Sequence, residues 1–154
     1  YISEHGPKGG DEINFLDLNE KLHNQTPNFG WPISSYGYHY GKPESEKIKS
    51  KYKKAPLLKS HKSHGFIEPI KYYNSAIAPS KILKISNDSG SKILLGSMLK
   101  EAIFDLTLKN DNIIMAEEII FFGERVRDFI LLKDTMRLLV FLENTASLAI
   151  INLR

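Results

Sequence analysis

The sequence predicts an all-β chain, and two observations carry that reading. From about residue 66 onward, short apolar runs recur about every ten residues between small or polar turns, the strand spacing of a sandwich, barrel or propeller. No stretch of helical period competes with them. Strands are expected at Phe66–Tyr73, Lys81–Ile85, Lys92–Ser97, Ala102–Leu108, Ile113–Phe121, Arg125–Leu132, Arg137–Leu142 and Ser147–Leu153.

Pro69 and Pro79 are expected to bracket a strand and set its ends. Runs such as Ile82-Leu83-Lys84-Ile85 alternate or nearly alternate, whereas Ile130-Leu131-Leu132 and Leu138-Leu139-Val140-Phe141-Leu142 are continuously apolar. Continuous runs predict strands covered on both faces, as in sheets stacked radially around an axis. Grouped by fours, Lys81 to Phe121 makes one complete blade of about forty residues. The next group begins at Arg125 and supplies three strands before Arg154. In a closed ring its outer strand is expected from an N-terminal segment of the same protein, which puts the truncation at the front.

Composition narrows the class. At 154 residues, with 42% hydrophobic and 25% charged residues, the chain reads as an ordinary globular protein that buries roughly two-thirds of its unfolded surface. No apolar run approaches the roughly 18 residues needed to span a bilayer, and the N-terminus has no signal-peptide pattern. For an internal start, that missing signal leaves the compartment open. Zero cysteines exclude a disulfide framework, a thiolate metal site and a cysteine nucleophile. The net charge of +3 is uneven, with Lys42, Lys47, Lys49, Lys51, Lys53, Lys54, Lys59 and Lys62 in one 21-residue stretch. That run lacks the interleaved aromatics and groove-reading motif of nucleic-acid binders, so it reads as a solvated part of a long loop over residues 36–64. Long loops on a rigid scaffold often carry binding.

Three motifs carry chemistry. The first is Ser3-Glu4-His5-Gly6-Pro7-Lys8-Gly9-Gly10-Asp11-Glu12-Ile13-Asn14, followed by Asn28-Phe29-Gly30-Trp31-Pro32. Gly6-Pro7 forces a turn, Gly9-Gly10 permits unusual backbone angles, and Asp11-Glu12 sets two carboxylates beside carbonyls freed from any ladder. Hard cations such as Ca²⁺ want such oxygens; a plain turn into a strand over Glu12–Phe15 accounts for the same residues. The second is Gly123-Glu124-Arg125-Val126-Arg127-Asp128-Phe129. Residues two apart on a strand share a side, so Arg125 and Arg127 present two guanidinium forks suited to carboxylates, or else form a surface pair balanced by Glu124 and Asp128. The third is Gly96-Ser97-Met98-Leu99-Lys100, where Lys100 is a candidate anion contact or a solvated strand-end lysine.

Trp31, between a glycine and a proline, is expected to pack the core or a blade junction. His5, His23, His39, His61 and His64 show no zinc-type spacing. His61 and His64, three apart in a loop, are expected to be exposed and inert.

The first two strings, in that order, resemble the soluble pyrroloquinoline-quinone (PQQ) sugar dehydrogenases, also called glucose/sorbosone or aldose sugar dehydrogenases. Gly123–Phe129 resembles that family's Arg-x-Arg-Asp segment. Gly96–Lys100 resembles its Ser-Leu-Lys segment with one residue added, and the Phe66–Ile70 and Ala76–Ser80 strings match as well. The resemblance implies a six-bladed β-propeller of four-stranded antiparallel blades, of which this chain is about half, the C-terminal part. It implies an oxidoreductase that oxidises the anomeric carbon of an aldose by hydride transfer to PQQ, with Ca²⁺ polarising the quinone.

In that picture Lys100, Arg125 and Arg127 hold PQQ. The carbonyls of Gly6 and Pro7 hold the calcium near the cofactor, and Glu12 holds a second calcium. The family often has tyrosine where Phe29 stands, and a backbone carbonyl would serve a metal from either residue. The general-base histidine belongs to the family's N-terminal half, so no catalytic residue is assigned here. A sugar substrate, a periplasmic or secreted location, no nucleic-acid partner and no membrane span complete the expectation. The alternative is a catalytically inactive, propeller-derived module that pairs with itself as a homodimer or with another chain, because open sheet edges and apolar faces seek partners. Departures from the pattern are Tyr73-Asn74-Ser75 on the substrate side, Lys133-Asp134-Thr135, and Glu143-Asn144.

Overall fold

β-Branched and large aliphatic residues, punctuated by glycine-bearing and polar turns, fold this chain into short antiparallel strands. A computed structural model describes residues 1–19, 26–40, 53–87 and 90–153. The lysines at 42, 47, 49 and 51 and His23 lie outside the described residues. Ten strands are described: β1 (Ile2–Glu4), β2 (Asp11–Asn14), β3 (Lys71–Tyr73), β4 (Pro79–Asn87), β5 (Gly90–Ser97), β6 (Ala102–Asn110), β7 (Ile113–Phe121), β8 (Val126–Leu132), β9 (Arg137–Leu142) and β10 (Ser147–Asn152). They fall into two units, Tyr1–Ala76 and Ile77–Arg154.

The first unit is built on the sheet β1-β2-β3. Its register sets Glu4 opposite Glu12, and Glu12 opposite Tyr72. All four residues of β2 are buried, although three of them are polar. The expected strand Phe66–Tyr73 shortens to Lys71–Tyr73, because the residues before it spend their amides elsewhere. Phe66 N–H donates to His61 O and Ile67 N–H to Asn28 O, while Pro69 has no N–H to give. A 3₁₀ turn at His61–His64 is flanked by Ser60 and Gly65, both left-handed. Trp31 departs from expectation: it is 50% exposed. Ile33 and Ser34 both donate to the Gly30 carbonyl, and that tight turn carries the indole outward.

The second unit has two sheets. The four-stranded sheet β4-β5-β6-β7 covers the predicted blade, and the three strands β8, β9 and β10 form the second, with β9 central. Ile85, Leu94 and Ile103 of the first sheet pack with Val126, Phe129, Leu138, Val140 and Leu142 of the second in one core. Ser80 Oγ donates to the Val126 carbonyl at 2.8 Å and ties β4 to β8. β5 is covered on both faces, with Ile93, Leu94 and Leu95 all buried. β9 instead alternates: Leu138, Val140 and Leu142 are buried and Phe141 is 37% exposed. Its continuous apolar run predicts two covered faces, and among the described residues one is covered.

Candidate functional site

Each unit brings one group of the sequence candidates together. In the first, Gly9 and Gly10 both take φ near +70°, so the loop closes tightly enough for the Gly6 N–H to donate to Asp11 Oδ1 at 2.8 Å. Among the described residues, neither the Gly6 nor the Pro7 carbonyl accepts a hydrogen bond, whereas the Lys8 carbonyl accepts one from Tyr38 N–H. The loop therefore leaves two oxygens without a backbone partner, as the turn residues imply.

Glu12 follows directly and is buried. Its Oε1 faces His61 Nε2 at 3.1 Å, and Asn14 Nδ2 lies 3.4 Å from its Oε2 and 3.4 Å from Glu4 Oε2. Burial pushes the Glu12 carboxyl up to about 7, partly offset by the Asn14 amide and reinforced by the carboxylates of Glu4, Glu68 and Asp11. Burial also raises Glu4, with His61 opposing it.

His61 is not the exposed, inert residue expected from its loop: it is 1% exposed. Its Nδ1 lies 2.8 Å from the Phe29 carbonyl, and Tyr36 stacks on its ring with centroids 5.2 Å apart. Tyr36 in turn stacks on Tyr72 at 3.8 Å and donates its hydroxyl to Glu68. Glu68 Oε2 accepts the Lys62 N–H at 2.8 Å, so the residue after His61 is pinned to the same network. Gly30, at φ +96°, is required beside the ring, because a Cβ there would lie 2.8 Å from His61 Nδ1. His61 and Glu12 are 49 positions apart by number, which hides the pair from any spacing argument. The usable signal is that a carboxylate inside Asp11-Glu12-Ile13-Asn14 must find a partner once buried.

In the second unit Arg125 and Arg127 converge. The β8–β9 register slips between Val126 and Asp128, so Arg127 is the extra residue of a bulge. Arg127 Nη1 lies 2.9 Å and Arg125 Nη2 3.6 Å from Met98 Sδ. Glu143 Oε2 lies 3.5 Å from both Arg125 Nε and Arg127 Nη1. Both guanidinium side chains stay about half exposed. Glu124 and Asp128, the expected counter-charges, are engaged elsewhere: Glu124 accepts from Thr145, and Asp128 pairs with Lys81. Pro79, Ser80, Met98 and Arg127 line a cavity of about 240 Å³. Lys100 is exposed in the turn after β5, where its N–H donates to Ser97 Oγ at 2.9 Å. Met98, on that same turn, is a contact the sequence reading missed.

A buried polar strand in one unit and a half-exposed arginine pair beside a bulge in the other sit on antiparallel sheets of the β-propeller class. In solved structures the match is to a glucose dehydrogenase crystal structure, with TM-score 0.73 and 24% identity over 99% of this chain and 40% of that one. The apo-form soluble aldose sugar dehydrogenase of Escherichia coli matches with TM-score 0.69 and 22% identity over 97% of this chain and 39% of that one.

In sequence, the chain is 26% identical over 133 residues to the aldose sugar dehydrogenase YliI of Escherichia coli, covering 83% of this chain and 31% of the relative. It is 27% identical over 132 residues to the uncharacterized protein slr1608 of Synechocystis, covering 83% of this chain and 28% of the relative. The chain thus spans about a third or less of the length of these curated relatives. A family model described as Glucose / Sorbosone dehydrogenase matches residues 1–150. The chain belongs to the glucose/sorbosone dehydrogenase family. Among the described residues, no helix is long and apolar enough to cross a membrane.

Proposed function

We propose that this chain is part of a PQQ-dependent aldose dehydrogenase acting in the periplasm or outside the cell, with a sugar as the small-molecule substrate. Arg125 and Arg127 bind carboxylates of PQQ, and Lys100 supplies a further positive contact from its turn. The carbonyls of Gly6 and Pro7 hold a calcium ion. Two carbonyls without a hydrogen-bond donor are the donor chemistry that a hard cation selects. Bound PQQ supplies the hydride acceptor for sugar oxidation.

The chain's own work is binding and orientation. The bulge at Arg127 and the turn carrying Met98 bring both guanidinium groups to one point while Glu143 holds them from the other side. A dianionic or trianionic ligand displaces that single carboxylate with better-matched charge. No residue here is assigned the proton-accepting role.

The convergence of the two arginines carries this reading. It is tested by titrating the protein with PQQ and following cofactor absorbance, alongside a dye-linked assay of sugar oxidation. Binding that weakens in Arg127→Ala and Arg125→Ala supports it. PQQ binding that ignores both substitutions, or no binding at all, overturns it and leaves the family's propeller scaffold serving as an association module.

A further inference from the structure

The resemblance puts a second calcium at Glu12, and the surroundings of Glu12 do not fit one. Calcium takes roughly six to eight oxygen ligands. Among the described residues no group of three or more His, Asp or Glu is arranged to hold a metal ion. Both Glu12 oxygens already face nitrogen: Oε1 meets His61 Nε2 at 3.1 Å, and Oε2 lies 3.4 Å from Asn14 Nδ2. Imidazole is a ligand for zinc, copper and iron rather than for calcium.

We propose that His61 stands in place of that second calcium, its imidazole seated between the Phe29 carbonyl and the Glu12 carboxyl, 2.8 Å from one and 3.1 Å from the other. A carbonyl only accepts, so the 2.8 Å contact with Phe29 O requires a hydrogen on Nδ1. Nε2 is then the ring atom turned toward Glu12 Oε1, 3.1 Å away. A cation seated on the same two oxygens would have to expel the ring.

The packing opposes expulsion. Tyr36 covers one face of the imidazole, and Gly30 closes against its Nδ1 edge. The backbone on either side of the turn is fixed in the left-handed region at Ser60 and Gly65. The remaining charged neighbours are Glu4, paired across β1–β2 and reached by the Asn14 amide, Glu68, which is tied to Tyr36 and Lys62, and Asp11, which accepts the Gly6 N–H. The inference rests on the packing of the first unit and goes beyond the PQQ reading, which it does not need.

The test counts calcium. The protein and its Glu12→Gln variant are dialysed against millimolar CaCl₂, and bound calcium per chain is measured by elemental analysis. In parallel, the ring nitrogens of ¹⁵N-histidine-labelled wild-type protein are followed through the same titration. Equal calcium counts in the two proteins and unmoved His61 ring signals are expected. Loss of one calcium per chain in Glu12→Gln overturns the inference, as does displacement of the His61 signals by calcium. If the variant does not fold, the ring signals of the unmodified protein decide alone. Neither readout involves PQQ or sugar, so failure here is distinct from failure of the cofactor proposal.

Discussion

In Tyr1–Ala76 the buried set includes Asp11, Glu12, Asn14 and His61, whereas in Ile77–Arg154 the shared core is Ile85, Leu94, Ile103, Val126, Phe129, Leu138, Val140 and Leu142. The two units therefore reach stability by different means. Apolar burial is non-directional and indifferent to pH, and its loss scales with the volume removed. Polar burial works only while every donor and acceptor is matched, so it is sensitive to single atoms and to protons. The polar unit specifies one arrangement of side chains around Glu12, and the apolar unit supplies a rigid platform for surface chemistry.

The largest expected effect tests the apolar side. Phe129 is fully buried in the core joining the two sheets of the second unit. Phe129→Ala should cost about 3–5 kcal/mol, read as faster amide exchange at Val140 and a lower denaturation midpoint. Exchange at Ile13, in the other unit, is the control. A loss below about 1 kcal/mol would mean that the core is not continuous across the two sheets.

The second effect separates the units by pH. Glu12 is raised from 4.5 to about 7 in the folded chain, so between those values the folded state holds a proton that the unfolded state has released. Stability from this group is complete below about pH 4.5, falls as pH rises, and levels off above about 7. The expected change is about 3 kcal/mol. Trp31, the sole tryptophan, reports urea unfolding of the first unit by fluorescence. Glu12→Gln should flatten the profile, while Val140 exchange, corrected for intrinsic rates, stays pH-independent. A first unit that gains stability between pH 5 and 7 would contradict the assignment.

How much of this was legible follows the same division. The strands of the second unit announce themselves because each local run is apolar and each turn polar: Ile113–Phe121 and Arg137–Leu142 appear with their expected bounds. The three-strand last sheet was legible for the same reason. β1 was missed, since Ile2-Ser3-Glu4 has no periodicity to show and is a strand only through pairing with β2. In the first unit the site is non-local. Nothing around His61 marks it as buried, because its partners Phe29 and Glu12 arrive from distant segments. The arginines were legible as a pair, but their counter-charge was not: Glu143 reaches them through β9 pairing, while the sequence-adjacent Glu124 turns to Thr145.

A third effect concerns the polar chemistry that the apolar unit keeps on its surface. Arg127→Ala removes the guanidinium closest to Met98 and one of the two facing Glu143. It should weaken PQQ binding about tenfold, or about 1.4 kcal/mol, with little change in thermal stability because the side chain is half exposed. Arg127→Lys should recover part of the charge and lose the fork geometry, so its affinity should fall between the two. Equal affinity for all three proteins would place the anion elsewhere.

The smallest effect sharpens the comparison most directly, because it sets an exposed ion pair of the second unit against the buried Glu12–His61 contact of the first. Lys81 Nζ and Asp128 Oδ1 stand 3.4 Å apart with both side chains about half exposed. Water screens that attraction, and two flexible side chains must be held in place for it, so a double-mutant cycle with Lys81→Met and Asp128→Asn should give a coupling of about 0.2–1 kcal/mol, falling further in added salt. The same cycle on His61→Gln and Glu12→Gln, where both side chains are buried at 3.1 Å, should give a larger coupling that salt does not reduce. The contact distances are similar, so a difference between the cycles isolates burial as the variable. Equal couplings would mean that water reaches Glu12 as freely as it reaches Asp128, and the polar core of the first unit would then have to be redrawn as a surface.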